Sequence, residues 1–146
     1  MSSKYRKARR AKRYVPKPIR TPLMGPACDR ISLDMHLALA RLCTNPTQDA
    51  RDDLADVLNK IGFAIQDDPR FAEEHTVLNE AGQVLTPYQP SAPLPEGARH
   101  VLTHAATVID TILGLLDWET LRAAEVAYVA AARAVRAQAA MKVRAC

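Results

Sequence analysis

Residues 98–116, ARHVLTHAATVIDTILGLL, carry the strongest secondary-structure pattern of the chain. Apolar side chains recur there every three or four residues, which places them on one face of an α-helix. The stripe consists of Val101, Ala105, Val108, Ile112 and Leu115, flanked by Leu102, Ile109, Leu113 and Leu116. This pattern predicts a helix over residues 98–116 at the centre of the hydrophobic core.

Two helices are predicted upstream by start signals. Asn45-Pro46 and Asp68-Pro69 each place a capping side chain before a proline, and proline is favoured at the first position of a helix. The helix after Asn45 is expected to end near Gln66, and the helix after Asp68 is expected to end at Gly82. The apolar stripe of the former is Ala50, Leu54, Val57, Leu58, Ile61 and Ile65.

A first and a last helix complete the prediction. The first is expected over about residues 32–42, and the last begins after a capping Asp117 and extends to about Val143. The first helix places Leu33, Leu37 and Ala40 on one face, with Met35, Leu39 and Leu42 beside them. The core stripe predicted for the last helix is Leu121, Ala124, Tyr128, Ala131, Val135 and Ala139.

Signals for sheets and hairpins are nearly absent, because the chain has only five glycines and no sustained alternation of polar and β-branched residues. We therefore predict an all-α fold, a bundle of four to five helices within residues 28–146. A proline-punctuated loop is expected over residues 83–97. Residues 1–27 are expected to form a separate basic, proline-rich flexible arm, which is disordered until it meets a counter-charge.

The first twenty residues hold nine lysines and arginines and no acidic residue. The whole chain has a formal net charge of +4, so subtracting the +9 of this segment leaves −5 for residues 21–146. Such a segment attracts polyanions, because lysine and arginine that neutralise phosphates release condensed counterions, and its tyrosines can stack on unpaired bases. The predicted nucleic-acid-binding residues are Lys4, Tyr5, Arg6, Lys7, Arg9, Arg10, Lys12, Arg13, Tyr14, Lys17 and Arg20. A solubilising or targeting tail, or one that neutralises the acidic domain, is the alternative interpretation.

The last helix has a second feature of interest. Arg122, Arg133 and Arg144 recur every eleven residues, which is about three helical turns, so they align on one side. Val126 and Val129 fall on the same side. Exposed valines between arginines indicate a helix that is covered by another subunit or by an outside partner. The predicted partner interface is Arg122, Val126, Val129, Arg133, Arg136 and Arg144.

Other classes of function have little support in the sequence. His100 and His104 have a spacing that can present two imidazoles to zinc, but no third ligand is spaced to join them. We expect no enzyme activity, metal, cofactor or small-molecule substrate. Three cysteines without paired spacing and the lack of a long uncharged apolar run favour a cytoplasmic protein with no membrane segment.

Residues 4–13, KYRKARRAKR, resemble the arginine-rich peptides of phage antitermination proteins, which fold as a helix in an RNA groove. The whole chain, with a basic start, a proline-rich lead into a leucine-rich helix and an alanine-rich end, resembles small uncharacterised helical proteins of phages and prophages. The resemblance implies a regulator or an inhibitor of a host system, and it transfers no site residue beyond the arm.

These observations favour a non-enzymatic, nucleic-acid-associated adaptor or regulator. In this interpretation the arm binds the phosphate backbone and the helical domain contacts a protein or a second copy of itself. One alternative is a phage-derived inhibitor of a host defence or transcription complex that acts through the last helix or through the acidic face of the second and third helices, which carries Asp49, Asp52, Asp53, Asp56, Asp67, Asp68, Glu73 and Glu74. Another alternative is a structural component of a nucleoprotein particle.

Overall fold

The computed structural model describes residues 19–145, and five α-helices make up most of them. The helices are α1 (Gly25–Thr44), α2 (Gln48–Ile65), α3 (Ala72–Leu85), α4 (Glu96–Leu113) and α5 (Trp118–Arg144). A 3-10 turn, Pro69–Phe71, leads into α3. Within residues 19–145 the only β pairing is an isolated bridge between Pro22 and Asp117. The predicted all-α helical bundle is confirmed.

The first four helices form a ring, and α5 packs on its outside. α1 contacts α2 and α4, and α3 contacts the same two helices from the other side. α5 packs against α2, which therefore has three helical neighbours. The α1–α2 and α2–α3 connections are short, which favours antiparallel neighbours, as in other four-helix bundles.

The core is mainly aliphatic, and α4 contributes more buried side chains to it than any other helix, although α4 is one member of the ring and not a central helix as predicted. The buried side chains of α4 are Leu102, Ala105, Ala106, Ile109, Ile112 and Leu113. The centre of the predicted stripe was wrong, because Leu115 is 63% exposed and Val101 and Val108 are only half-buried. α4 packs against both α1 and α3, so the broad face that it buries is centred on the residues predicted to flank the stripe.

α1 differs most from its prediction. It begins at Gly25 instead of about residue 32, with Pro26 in its first turn, where the missing proline N–H costs no helical hydrogen bond. Its buried residues are Met35, Ala38, Leu39 and Leu42. Leu33 and Leu37, which were predicted to share the main apolar face, are 59% and 52% exposed. Leucines on both sides of this helix left the buried face undetermined until its neighbours were known.

Two predicted boundaries are corrected, at the start of α2 and at the end of α3. α2 is capped by Thr47, whose Oγ1 accepts a hydrogen bond from the Ala50 amide at 3.2 Å, and not by Asn45. Asp68 is a cap as predicted, since its Oδ1 accepts from the Arg70 amide at 3.0 Å, but it caps the 3-10 turn that leads into α3 and not α3 itself. α3 continues past Gly82 to Leu85, so the proline-punctuated loop is shorter than residues 83–97.

A polar cluster joins α1 to α4 beside the core. Ser32 Oγ donates a hydrogen bond to Asp110 Oδ1 at 2.6 Å, and His36 Nε2 lies 2.7 Å from Asp110 Oδ2. Partial burial opposes ionisation of this carboxyl, but the hydrogen bonds from Ser32 and His36 outweigh it and lower the pKa of Asp110 below its ordinary value of 3.8. The ionised carboxylate therefore stabilises the contact between α1 and α4.

We expect Asp110→Asn to destabilise the protein at neutral pH, with a difference from the natural chain that shrinks in acid. A carboxyl whose pKa is lowered by folding contributes stability above its unfolded pKa, about 3.9, and loses it as the pH falls through the folded value. Urea unfolding followed by circular dichroism between about pH 3 and 7 measures this. Asp67→Asn, at an exposed carboxylate, is the control, and identical pH profiles for the two variants would contradict the assignment.

Candidate nucleic-acid interface

Most of the predicted nucleic-acid-binding residues precede residue 19 and lie outside the described residues. Those ten are Lys4, Tyr5, Arg6, Lys7, Arg9, Arg10, Lys12, Arg13, Tyr14 and Lys17. The remaining one, Arg20, is described, and it lies where the chain joins the bundle. The structure therefore describes the arm only where it is attached to the bundle.

The chain enters the bundle through a short pairing with the α4–α5 connection. The Leu23 amide donates to the Leu116 carbonyl at 3.1 Å, and the Trp118 amide donates to the Thr21 carbonyl at 2.8 Å. The Thr21 amide donates to Glu119 Oε2 at 3.0 Å. We call residues 20–23 and 116–119 the arm junction. Leu23 is 6% exposed, so the junction also joins the core.

Asp117 holds the junction and the start of α5 together. Its Oδ1 accepts from the Thr120 amide at 2.7 Å and caps α5, as predicted, while its Oδ2 accepts from Arg20 Nη1 at 3.2 Å. Burial opposes ionisation, but the hydrogen bonds from Thr120 and Arg20 lower the pKa of the Asp117 carboxyl below its ordinary value. Ionised Asp117 therefore favours one exit path for the basic arm, beside the first turn of α5.

An aromatic and a basic side chain lie next to this exit. Thr21, Trp118, Glu119 and Arg122 line a shallow depression of about 240 Å³. Trp118 is 42% exposed, and Arg122 is exposed one turn further along α5. An indole offers a surface on which an unpaired base can stack, and a guanidinium can bind a phosphate. The sequence analysis missed Trp118, because only the pairing of residues 20–23 with 116–119 brings it beside the arm.

The first half of α5 is fixed to α2. Tyr128 Oη donates to Asp56 Oδ1 at 2.7 Å, and the rings of Tyr128 and Phe63 lie 6.0 Å apart. Burial and the Asp56 carboxylate raise the pKa of the Tyr128 hydroxyl. Lys60 Nζ and Glu125 Oε1 form an ion pair at 3.2 Å. These contacts set the direction of the whole helix.

The second half of α5 contradicts the predicted core stripe. Ala124 is buried and Leu121, Tyr128 and Ala131 are half-buried, as expected. Val135 is 66% exposed and Ala139 is also exposed, because every residue from 133 to 145 lies outside the packed bundle. All members of the predicted partner interface are exposed, namely Arg122, Val126, Val129, Arg133, Arg136 and Arg144.

The acidic residues of α2 are exposed, and several have partners within the domain. Asp52 lies 3.2 Å from Arg51 Nη1 and accepts from Gln48 at 2.7 Å. Asp53 forms a looser ion pair with Arg41 at 3.6 Å. The acidic face is therefore partly neutralised, and most of its charge still faces solvent.

Other features of the described chain offer no cluster of reactive groups. His100 and His104 are both exposed, and within residues 19–145 no three His, Cys, Asp or Glu side chains are placed to hold a metal ion. A groove of about 530 Å³ between α2 and α3 is lined by the polar side chains of Asn59, Gln66, His75, Asn79 and Gln83, among others. None of the helices in this part of the chain is long and apolar enough to cross a membrane.

Comparison of the chain with protein-family models, with curated proteins and with solved structures finds no match. The functional argument rests on the residues of the chain itself.

We expect Asp117→Ala to lower the free energy of unfolding by about 1 kcal/mol, because α5 loses its N-cap. The same change should loosen the junction, since Arg20 loses its partner. Asp117→Ser is the matched control, because serine retains capping but not the charge. Urea unfolding monitored by the fluorescence of Trp118, the single tryptophan, measures both variants. Unchanged stability in Asp117→Ala would contradict the role given to this residue.

Proposed function

We propose that the protein is a non-enzymatic, nucleic-acid-associated adaptor or regulator. Its basic arm binds the phosphate backbone, and its helical bundle holds the arm at one place and contacts a protein. The observation that carries this proposal is the separation of charge, with +9 in residues 1–20 and −5 in the remainder. The arm junction supports it, because it ties the basic segment to the start of α5.

Electrostatics favour nucleic acid at the arm end of the molecule. The exposed aspartates of α2 repel phosphates, whereas the nine positive charges of residues 1–20 join the bundle at the arm junction, where Arg20 is paired with Asp117 and Arg122 is exposed. Trp118 adds an exposed aromatic ring beside them. A single strand can therefore be bound at this end of the molecule by base stacking as well as by electrostatic attraction, while a duplex is bound by electrostatic attraction alone.

The bundle offers α5 for contact with protein. The valines between the arginines, Val126 and Val129, are 66% and 40% exposed, and exposed valines on a charged helix mark a surface that excludes water when a partner binds. An adaptor of this kind would link the bound nucleic acid to the partner through the length of α5.

A protein-directed inhibitor is the second candidate, and the exposed aspartates of α2 favour it. Asp49, Asp52, Asp53 and Asp56 project negative charge from one helix, as a surface that occupies the nucleic-acid groove of another protein would. The two candidates differ in the part of the chain that binds the partner. Binding of nucleic acid in the first candidate requires the arm, and binding of protein in the second requires the bundle.

We expect the full chain to bind labelled single-stranded RNA and duplex DNA with a steep dependence on salt. If most of the nine charges engage, log affinity should fall against log salt with a slope of about −6 on single strands and about −8 on duplex. A chain lacking residues 1–18 retains the junction and should lose this binding. Fluorescence anisotropy at low and moderate salt measures both chains, and circular dichroism checks that the bundle is folded.

Two further outcomes are informative. Tyr5→Leu with Tyr14→Leu keeps every charge of the arm, so it should weaken binding to single strands and leave binding to duplex unchanged. Binding that survives removal of residues 1–18, or that has little dependence on salt, would reject the arm as the binding element and favour the inhibitor.

A further inference from the structure

The second half of α5 is a helix without support from the rest of the described chain. α5 is continuous over 27 residues, but from residue 133 onward every residue is exposed. We call residues 133–144 the free half of α5. A helix segment of this length is only marginally stable in water without packing, so an additional surface that covers it would stabilise it.

The free half carries an apolar stripe with basic neighbours. At 100° per residue, Val135 and Ala139 continue the face on which Ala124 and Tyr128 pack against α2. Val135 is 66% exposed, and Val143, close to the same face, is 78% exposed. The charged side chains of the free half are Arg133, Arg136, Lys142 and Arg144, and no acidic residue follows Glu125. The free half is therefore an amphipathic helix of purely positive charge.

A surface of opposite character lies between α1 and α2. Leu37, Ala38 and Val57 form the apolar floor of a groove of about 480 Å³, and Leu37 is 52% exposed. The rim carries Asp34, Asp53 and Asp56, with Arg41 as the only basic residue lining the groove. This groove suits a basic helix with a narrow apolar stripe, because its floor is apolar and its rim carries more acidic than basic residues.

The first half of α5 leaves this groove uncovered. Trp118, Leu121 and Glu125 line a separate depression against the neighbouring part of the α1–α2 surface, next to Ile31 and Lys60. The contact of Tyr128 with Phe63 and Asp56 then holds α5 to α2, and Leu37 and Asp53 remain exposed. The free half of the same chain therefore does not occupy the groove.

We propose that the protein binds a second copy of itself, with the free half of α5 from each copy docked in the α1–α2 groove of the other. Each copy supplies one helix and one groove, so the two contacts are equivalent and the assembly closes as a twofold dimer. The proposed function gives the bundle a protein partner, and this proposal names that partner as a second copy of the chain. To that extent it rests on the proposed function. The association itself needs no nucleic acid, so either proposal can fail alone.

A second copy fits these surfaces better than nucleic acid does. Phosphates would satisfy the arginines of the free half but not its valines, and the aspartates of the groove would repel them. A dimer would also present two arms together, which raises the affinity for a single nucleic-acid chain through effective concentration.

The first test is the mass of the nuclease-treated full chain in solution, measured by sedimentation equilibrium. The proposal predicts twice the 16.1 kDa of one chain. Val135→Glu should reduce the mass to one copy, whereas Ala137→Glu should leave the dimer intact, because residue 137 points about 160° away from residue 135 on the same exposed helix. Circular dichroism checks both variants for an unchanged fold.

The second test exchanges the charges of the two surfaces. A chain with Asp34→Lys and Asp53→Lys should have the mass of one copy, and so should a chain with Arg136→Glu and Lys142→Glu. Mixing the two chains should restore the mass of two copies. The natural basic helix of the first chain then meets the natural acidic groove of the second, and the acidic helix of the second meets the basic groove of the first.

Several results would overturn the proposal. They are a one-copy mass for the natural chain at high concentration, a dimer that Val135→Glu leaves intact, and mixed chains that do not pair.

A dimer that dissociates when residues 1–18 are removed would make the arm the occupant of the groove. Reduced RNA binding by Val135→Glu without a change in mass would assign the free half to nucleic acid. A dimer without RNA binding would support this proposal and reject the proposed function.

Discussion

The packing of α2 is the constraint on which the rest of the structure depends. Its buried stripe has exposures from 0% to 5% and consists of Ala50, Leu54, Leu58, Ile61 and Ile65. Because α2 also contacts α5 through Lys60, Phe63 and Asp56, it fixes the direction of a helix that is about 40 Å long at 1.5 Å per residue. One end of that helix meets the arm junction, and the other end leaves the bundle. The arm junction and the free half of α5 therefore lie at opposite ends of this helix.

Charge is distributed along the same axis. The basic arm joins the bundle at the start of α5, where Arg20 is held by Asp117. The exposed acidic residues of α2 lie on the bundle, and two of them, Asp52 and Asp53, are paired with arginines of the domain. In the proposed function this separation of charge directs phosphates to the arm, and the acidic groove is left for a positively charged helix.

Much of the fold could be predicted from local pattern, while the candidate site could not. Local sequence pattern predicts the five helices, the caps at Asp68 and Asp117 and the apolar stripe of α2, because each of these features depends on residues that are close together in the sequence. The buried face of α1 could not be chosen, because Leu33 and Leu39 have equally good helical spacing, and only packing against α2 and α4 distinguishes them. Periodicity extended the stripe of α5 to Ala139, since a pattern cannot indicate where the neighbouring helix ends. The arm junction joins residues 97 positions apart, Arg20 and Asp117, and no local signal specifies such a pairing.

We propose that nucleic acid is bound where the arm joins the start of α5 and that a second copy of the chain is bound at the other end of this helix. Hydrogen–deuterium exchange of the full chain, with and without single-stranded RNA, tests this claim most directly, because each peptide reports on its own segment. We predict that RNA slows exchange in residues 1–23 and 116–122 and leaves residues 133–145 unchanged. Protection of residues 133–145 by RNA, with none in the arm or its junction, would contradict the account.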